Sequence, residues 1–233
     1  MSLFSHSLLA VALAGLIFTG GHFLLSHTLR QAVLARLGEG GFRGAYSAMA
    51  GLSLAWMIYA YSTAPYVELW SEPAGGRWIA LILMLASVLF LVLGTMTPSP
   101  GQVGAERAQL DYAGGLGIHA IARHPGLCGF ALWALAHAIV NGDAATLLLC
   151  ASIGILAVGG MFGIDARKAR AFPDAYGPFM AHTSILPFAA LASGRVRLDL
   201  GKVGMARLAL AVAIFALLLV LHGPLIGRAA LPH

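Results

Sequence analysis

Apolar residues along this chain gather into runs long enough to cross about 30 Å of hydrocarbon, and the stretches between them hold most of the charge. Six runs stand out, at approximately 8–25, 45–61, 78–95, 118–140, 144–164 and 205–221. The fourth carries Pro125, which is expected to kink or open its helix because proline lacks an N–H and crowds the preceding turn. The pattern predicts an all-α fold, a polytopic membrane helix bundle of about six transmembrane helices. Residues 1–233 read as a single integral membrane domain without internal repeats.

Composition agrees with the pattern. Hydrophobic residues make up 59 % of the 233, and charged residues 10 %, against about 25 % in a soluble domain. The mean hydropathy is +0.85. A net charge of +5 and a pI near 9.6 raise the question of a nucleic-acid partner, which the placement of the charges answers. Twelve of the fourteen Lys and Arg fall in three alternate connections or at their edges, leaving Arg77 and Arg228 on the other side. By the positive-inside rule those connections are cytoplasmic and both termini lie outside the cytoplasm. The expected partner is therefore the lipid bilayer of a bacterial-type cytoplasmic membrane, not nucleic acid. The N-terminal M-S-L-F-S-H-S has no positive n-region, so the first run is expected to be retained. Cys128 and Cys150 have no C-x-x-C spacing and read as buried packing residues.

The connections differ in kind. Asn141-Gly142-Asp143 reads as a tight turn that folds the fourth and fifth runs into an antiparallel hairpin. Residues 165–204 form a long connection with Pro173, Pro178 and Pro187, opening as a charged helical extension of the fifth run. Asp165 there reads as part of a helix-end ion-pair cluster with Arg167 and Lys168.

Histidines inside apolar runs are the candidate chemistry, since an ionisable group at membrane depth needs a partner, a proton path or a metal. At helical spacing Gly15, Thr19, His22, Ser26 and Arg30 share one stripe of the first run. Gly126, Phe130, Trp133, His137 and Asn141 share one stripe of the fourth. An imidazole beside an aromatic shelf suits an axial ligand to a planar cofactor; the competing structural reading is a histidine bonded to a neighbouring helix. Arg123-His124-Pro125, at the membrane entry, offers donors to an anionic group.

Counting rise along the helices places His22 about 21 Å from Leu8 and His137 about 6 Å from the turn at Asn141. That difference in depth, about 15 Å, strains a shared iron. It leaves room for His137 to pair instead with the outer His6 or His222.

Several segments together resemble one family. They are His22 to Arg30 with Gly38-Glu39 and Arg43, Arg123-His124-Pro125, Trp133 to His137, Asn141-Gly142-Asp143, Ala175-Tyr176-Gly177 and Leu186-Pro187-Phe188. The chain resembles the NnrU family of bacterial membrane proteins, whose relatives include the zeta-carotene isomerases. The resemblance implies haem b (iron), with His137 and His22 as axial and catalytic ligands and His27 an open alternative to His22. Trp133, Arg30, Arg123, His124 and Asn141, singled out above by stripe and donor chemistry, are the candidates to line that cofactor. It also implies cis–trans isomerisation of a hydrophobic polyene or isoprenoid. A cysteine that those isomerases carry three residues before the second ligand is Ala134 here. Two other functions compete: a non-catalytic haem sensor or redox protein linked to nitrogen-oxide metabolism, and a membrane methyltransferase using S-adenosylmethionine. The R-H-P-G-L-C-G segment resembles the isoprenylcysteine type of the latter, but only Asp165 stands where paired acids belong.

Overall fold

The computed structural model describes residues 5–231. Its elements in order are α1 (Leu8–Phe23), a π turn (Leu24–Thr28), α2 (Arg30–Ser62), α3 (Gly76–Met96), α4 (Ile118–Ile121), α5 (Pro125–Val140), α6 (Ala144–Ala171), α7 (Pro173–His182), α8 (Ala189–Ala192), α9 (Leu200–Val203) and α10 (Met205–Ile226). Strand pairing among the described residues is limited to two isolated bridges, Glu68 with Asp143 and Leu116 with Leu198. The fold is an all-α membrane bundle. Four helical stretches are long and apolar enough to cross a membrane: Leu8–Thr28, Gly76–Met96, Ala144–Ala171 and Met205–Ile226. The other two expected crossings are the apolar half of α2 and the shorter apolar helix α5.

The fourth run departs from its expected bounds of 118–140. Only Ile118–Ile121 is helical before Ala122 turns extended, and α5 begins at Pro125. Proline is tolerated at the first helical turn, where its missing N–H costs no hydrogen bond, and it drives the preceding residue from helical geometry. At α2, Gly38 adopts φ +68 and kinks the helix, with Arg30 and Arg36 before the kink and Glu39 and Arg43 after it, ahead of the apolar remainder. The fifth run continues as helix to Ala171, giving the charged extension expected from Asp165 onward.

Two compact units are distinguished by their internal packing: residues up to Gly76 with Ala134–Leu156, and Arg77–Trp133 with Ala157 onward. In the first unit Ala10, Val11, Ala14 and Phe18 of α1 pack with Met57 and Ala60 of α2 and Ala145 of α6. These residues are mostly small, which lets helix backbones approach where lipid offers no hydrophobic drive to association. The predicted turn is present: the Leu69 and Trp70 N–H groups both donate to the Gly142 carbonyl, at 2.7 and 3.1 Å. Asp143 then caps α6, accepting from the Thr146 N–H at 3.0 Å and the Thr146 hydroxyl at 2.6 Å, as acidic and polar residues do at helix N-termini.

In the second unit Phe90 and Leu93 of α3, Ile118, Ala122, Cys128 of α5 and Met161 of α6 form a core. A smaller one gathers Leu116, Ala120, Ala190 and Val196. Both cysteines are buried and unbridged, as the sequence implied. Of α10 only Ala211 is buried, so nearly its whole surface faces the surrounding medium. An apolar helix in that position belongs in lipid.

Candidate functional site

Each candidate histidine has a defined setting. His22, half-buried on α1, has its Nδ1 2.6 Å from the Phe18 carbonyl, and the rings of Phe18 and Tyr46 meet it edge-on at 4.6 and 5.3 Å. Tying one imidazole nitrogen to a carbonyl fixes ring and tautomer and leaves Nε2 as the nitrogen able to bind a metal. The predicted stripe around it splits between two neighbours. Thr19 donates to the Ser152 carbonyl at 3.0 Å, and a Cβ at Gly15 would run into the Ser152 hydroxyl. The Arg30 guanidinium lies 4.7 Å over the Phe42 ring of α2.

His137 is half-buried on α5. Its carbonyl accepts from the Asn141 N–H at 3.0 Å and the Asn141 side-chain amide at 2.9 Å. Asn141 thus closes the last turn of α5 and fixes the helix end that presents His137. Trp133 is also half-buried, whereas Phe130 of the same stripe is exposed.

The helix contacts set the relative depth of His22 and His137, which both belong to the first unit. Gly15 and Thr19 mark Ser152 as the level of α1 on α6, and a Cβ at Gly154 would stand 3.6 Å from Cβ of Ala134 on α5. Counting about 1.5 Å per residue from those contacts separates the two α-carbons by about 8–12 Å along the helices. The Cα–Cβ bonds of antiparallel helices lean toward their own N-termini, so the two side chains lean toward each other. The axial offset is smaller than the sequence count of about 15 Å.

The other histidines are placed differently. His27 is exposed in the π turn, its Nδ1 3.1 Å from the Phe23 carbonyl. His6 is exposed and donates its backbone N–H to Thr63. His222 Nδ1 lies 2.8 Å from the Arg228 carbonyl in the second unit. Among the described residues no cluster of three or more His, Cys, Asp or Glu is arranged to hold a metal.

Arg123 and His124 lie in the second unit, and their donors are already taken. Arg123 bonds the Asp165 carboxylate through Nη1, the Thr183 hydroxyl at 3.0 Å through Nε, and the Met180 and Thr183 carbonyls at 2.9 Å through Nη2. His124 Nε2 is 2.7 Å from the other Asp165 oxygen, which also accepts from the Tyr176 hydroxyl at 2.6 Å. Burial and the neighbouring carboxylate push the Tyr176 phenol well above its usual range. This buried knot joins α5 and its lead-in, α6 and α7. Asp165 is an ion-pair centre as expected, but with partners more than forty residues upstream in place of Arg167 and Lys168. Lys168 instead reaches Glu106 at 2.9 Å and the Gln102 carbonyl at 2.9 Å.

Nothing in the sequence pattern announced Tyr176 as the third ligand of Asp165. The signal was its place in Ala175-Tyr176-Gly177, read as a family segment without a role. With every Arg123 nitrogen engaged internally, the R-H-P segment acts as a lock between helices.

A family model described as NnrU protein matches residues 9–230. Over 84 residues the chain is 33 % identical to the chloroplastic 15-cis-zeta-carotene isomerase of Zea mays, covering 35 % of this chain and 22 % of that protein. Over 81 residues it is 36 % identical to the isomerase of the same name from Arabidopsis thaliana, covering 34 % and 22 %. The match therefore spans about a fifth of the length of these curated relatives. No solved structure matches. With the family model matched from the first helix to beyond the last, the chain belongs to the NnrU family.

Proposed function

We propose that this protein is a haem-dependent cis–trans isomerase of a hydrophobic polyene, working within a bacterial-type cytoplasmic membrane with both termini on the non-cytoplasmic side. The observation that carries the reading is the local identity with two zeta-carotene isomerases. Support comes from the setting of His22, whose Nδ1 is spent on the Phe18 carbonyl.

His22 and His137 would hold the iron, the first through Nε2. When bound, haem supplies a Lewis-acid or one-electron centre able to weaken a conjugated double bond. The protein's own part is orientation and exclusion. Phe18 and Tyr46 hold the His22 ring edge-on, Asn141 holds the turn carrying His137, and exposed Leu16, Leu52 and Leu135 keep the helix surfaces apolar toward a lipid-soluble substrate.

One observation favours a second reading, a non-catalytic haem sensor or redox protein. The buried methyl of Ala134 packs toward Gly154 at the place where, by family resemblance, a cysteine supports ligand exchange. Turnover separates the two. Expressed in a host that accumulates 15-cis polyenes, the wild-type protein converts them to their 15-trans isomers, and His22→Ala and His137→Ala do not. No conversion by wild type carrying full haem would leave the sensor reading in its place.

A further inference from the structure

Between α7 and α10 the second unit has an open pocket of about 500 Å³, and no carboxylate lines it. Its polar lining is Tyr112, His182, Arg195 and Arg197. The Tyr112 and His182 rings are stacked 4.5 Å apart. His182 Nδ1 is tied to the Pro178 carbonyl at 2.8 Å, so Nε2 is the nitrogen left for another partner. Arg195 is held in place by the Ser193 hydroxyl through Nε at 2.9 Å and by the Ala181 and Thr183 carbonyls through Nη1, both at 3.2 Å. Its Nη2 is uncommitted.

The nearby acids are occupied. Asp111 takes Lys202 at 2.9 Å, and Asp199 takes the backbone N–H groups of Gly201 and Lys202. Two guanidiniums and the Tyr112 hydroxyl therefore face a cleft lined by no carboxylate.

The surroundings of the cleft identify the anion. Leu186, Phe188, Leu198 and Leu200, on the same segment, are 39–71 % exposed, and Met205, 76 % exposed, starts the apolar helix α10. Apolar side chains displayed beside cations at a membrane helix end are the signature of a segment seated in the headgroup layer. We propose that this pocket binds the phosphate of an anionic lipid headgroup, with Arg195 and Arg197 as its principal ligands, and so anchors the segment between α7 and α10 to one leaflet.

The test is native mass spectrometry of the purified full-length protein in detergent, titrated with phosphatidylglycerol or with phosphatidylcholine of the same acyl chains. Wild type is expected to retain phosphatidylglycerol at about tenfold lower concentration than phosphatidylcholine, whose choline cation offsets its phosphate charge beside the two guanidiniums. Arg197→Gln, whose side chain supports no part of the fold, removes most of that preference, and Arg195→Gln/Arg197→Gln removes all of it. Arg36→Gln/Arg43→Gln, which removes two cations of the other unit, leaves it intact. Equal retention of the two lipids by wild type, or an unchanged preference in the Arg197→Gln protein, overturns the proposal. So does displacement of phosphatidylglycerol by equimolar inorganic pyrophosphate, which would mark a site for a soluble phosphate compound.

Discussion

Asp165 is the residue on which the second unit's polar interior converges, taking one guanidinium, one imidazole and one phenol. Breaking a buried charge pair from one side leaves the other charge uncompensated, at about 3–5 kcal/mol. Asp165→Asn is therefore expected to cost that much, read as a large fall in the unfolding midpoint in detergent. Tyr176→Phe removes one hydrogen bond to a charged group and should cost about 1.5–3 kcal/mol. A midpoint for Asp165→Asn equal to wild type would mean that the knot contributes no stability. Arg123 and His124 were legible in the sequence as a polar entry to the membrane, but their partner was not. Asp165 lies 41 and 42 residues further on, and helical periodicity relates only neighbours three or four positions apart.

At the scale of elements, α6 is anchored at both ends. Beyond its apolar section Lys168, 4 % exposed, is paired with Glu106. Burial acts to raise the Glu106 carboxyl, but the Lys168 hydrogen bond, two backbone N–H groups and the Lys168 charge outweigh it and bring it from 4.5 to about 2. A carboxyl depressed on folding stabilises the native state above its unfolded value, and that stabilisation fades as pH falls from about 4.5 towards 2. Unfolding midpoints followed down through this window should fall more steeply for wild type than for Glu106→Gln; parallel slopes would show that the pair is not coupled to folding.

At the other end of α6, a Cβ at Gly142 would collide with the Trp70 carbonyl oxygen. Gly142→Ala should thus lower the unfolding midpoint while the same change at exposed Gly177, where a Cβ meets nothing, does not. This turn was readable because Asn-Gly-Asp is turn chemistry in itself. The start of α5 was readable only as a perturbation at Pro125. Whether proline kinks a helix or begins one depends on where the preceding residues find their partners, and here Arg123 finds them on α6 and α7.

For the whole molecule, six apolar runs were enough to define an all-α membrane bundle, because length and hydropathy alone decide which segments lipid will accept. They did not reveal that the chain packs as two units that divide α5 and α6 between them, since such packing depends on which small residues meet. His22 and His137 stood out in the sequence as imidazoles in apolar runs, yet their relative depth required Ser152 and Gly154 as markers. In the proposed function these two histidines hold one haem. The most direct test is the absorption spectrum, oxidised and reduced, of protein purified after expression with ample haem. The account predicts a Soret band in wild type and in His27→Ala, lost or strongly weakened in His22→Ala and in His137→Ala. A wild-type spectrum without a Soret band would contradict it.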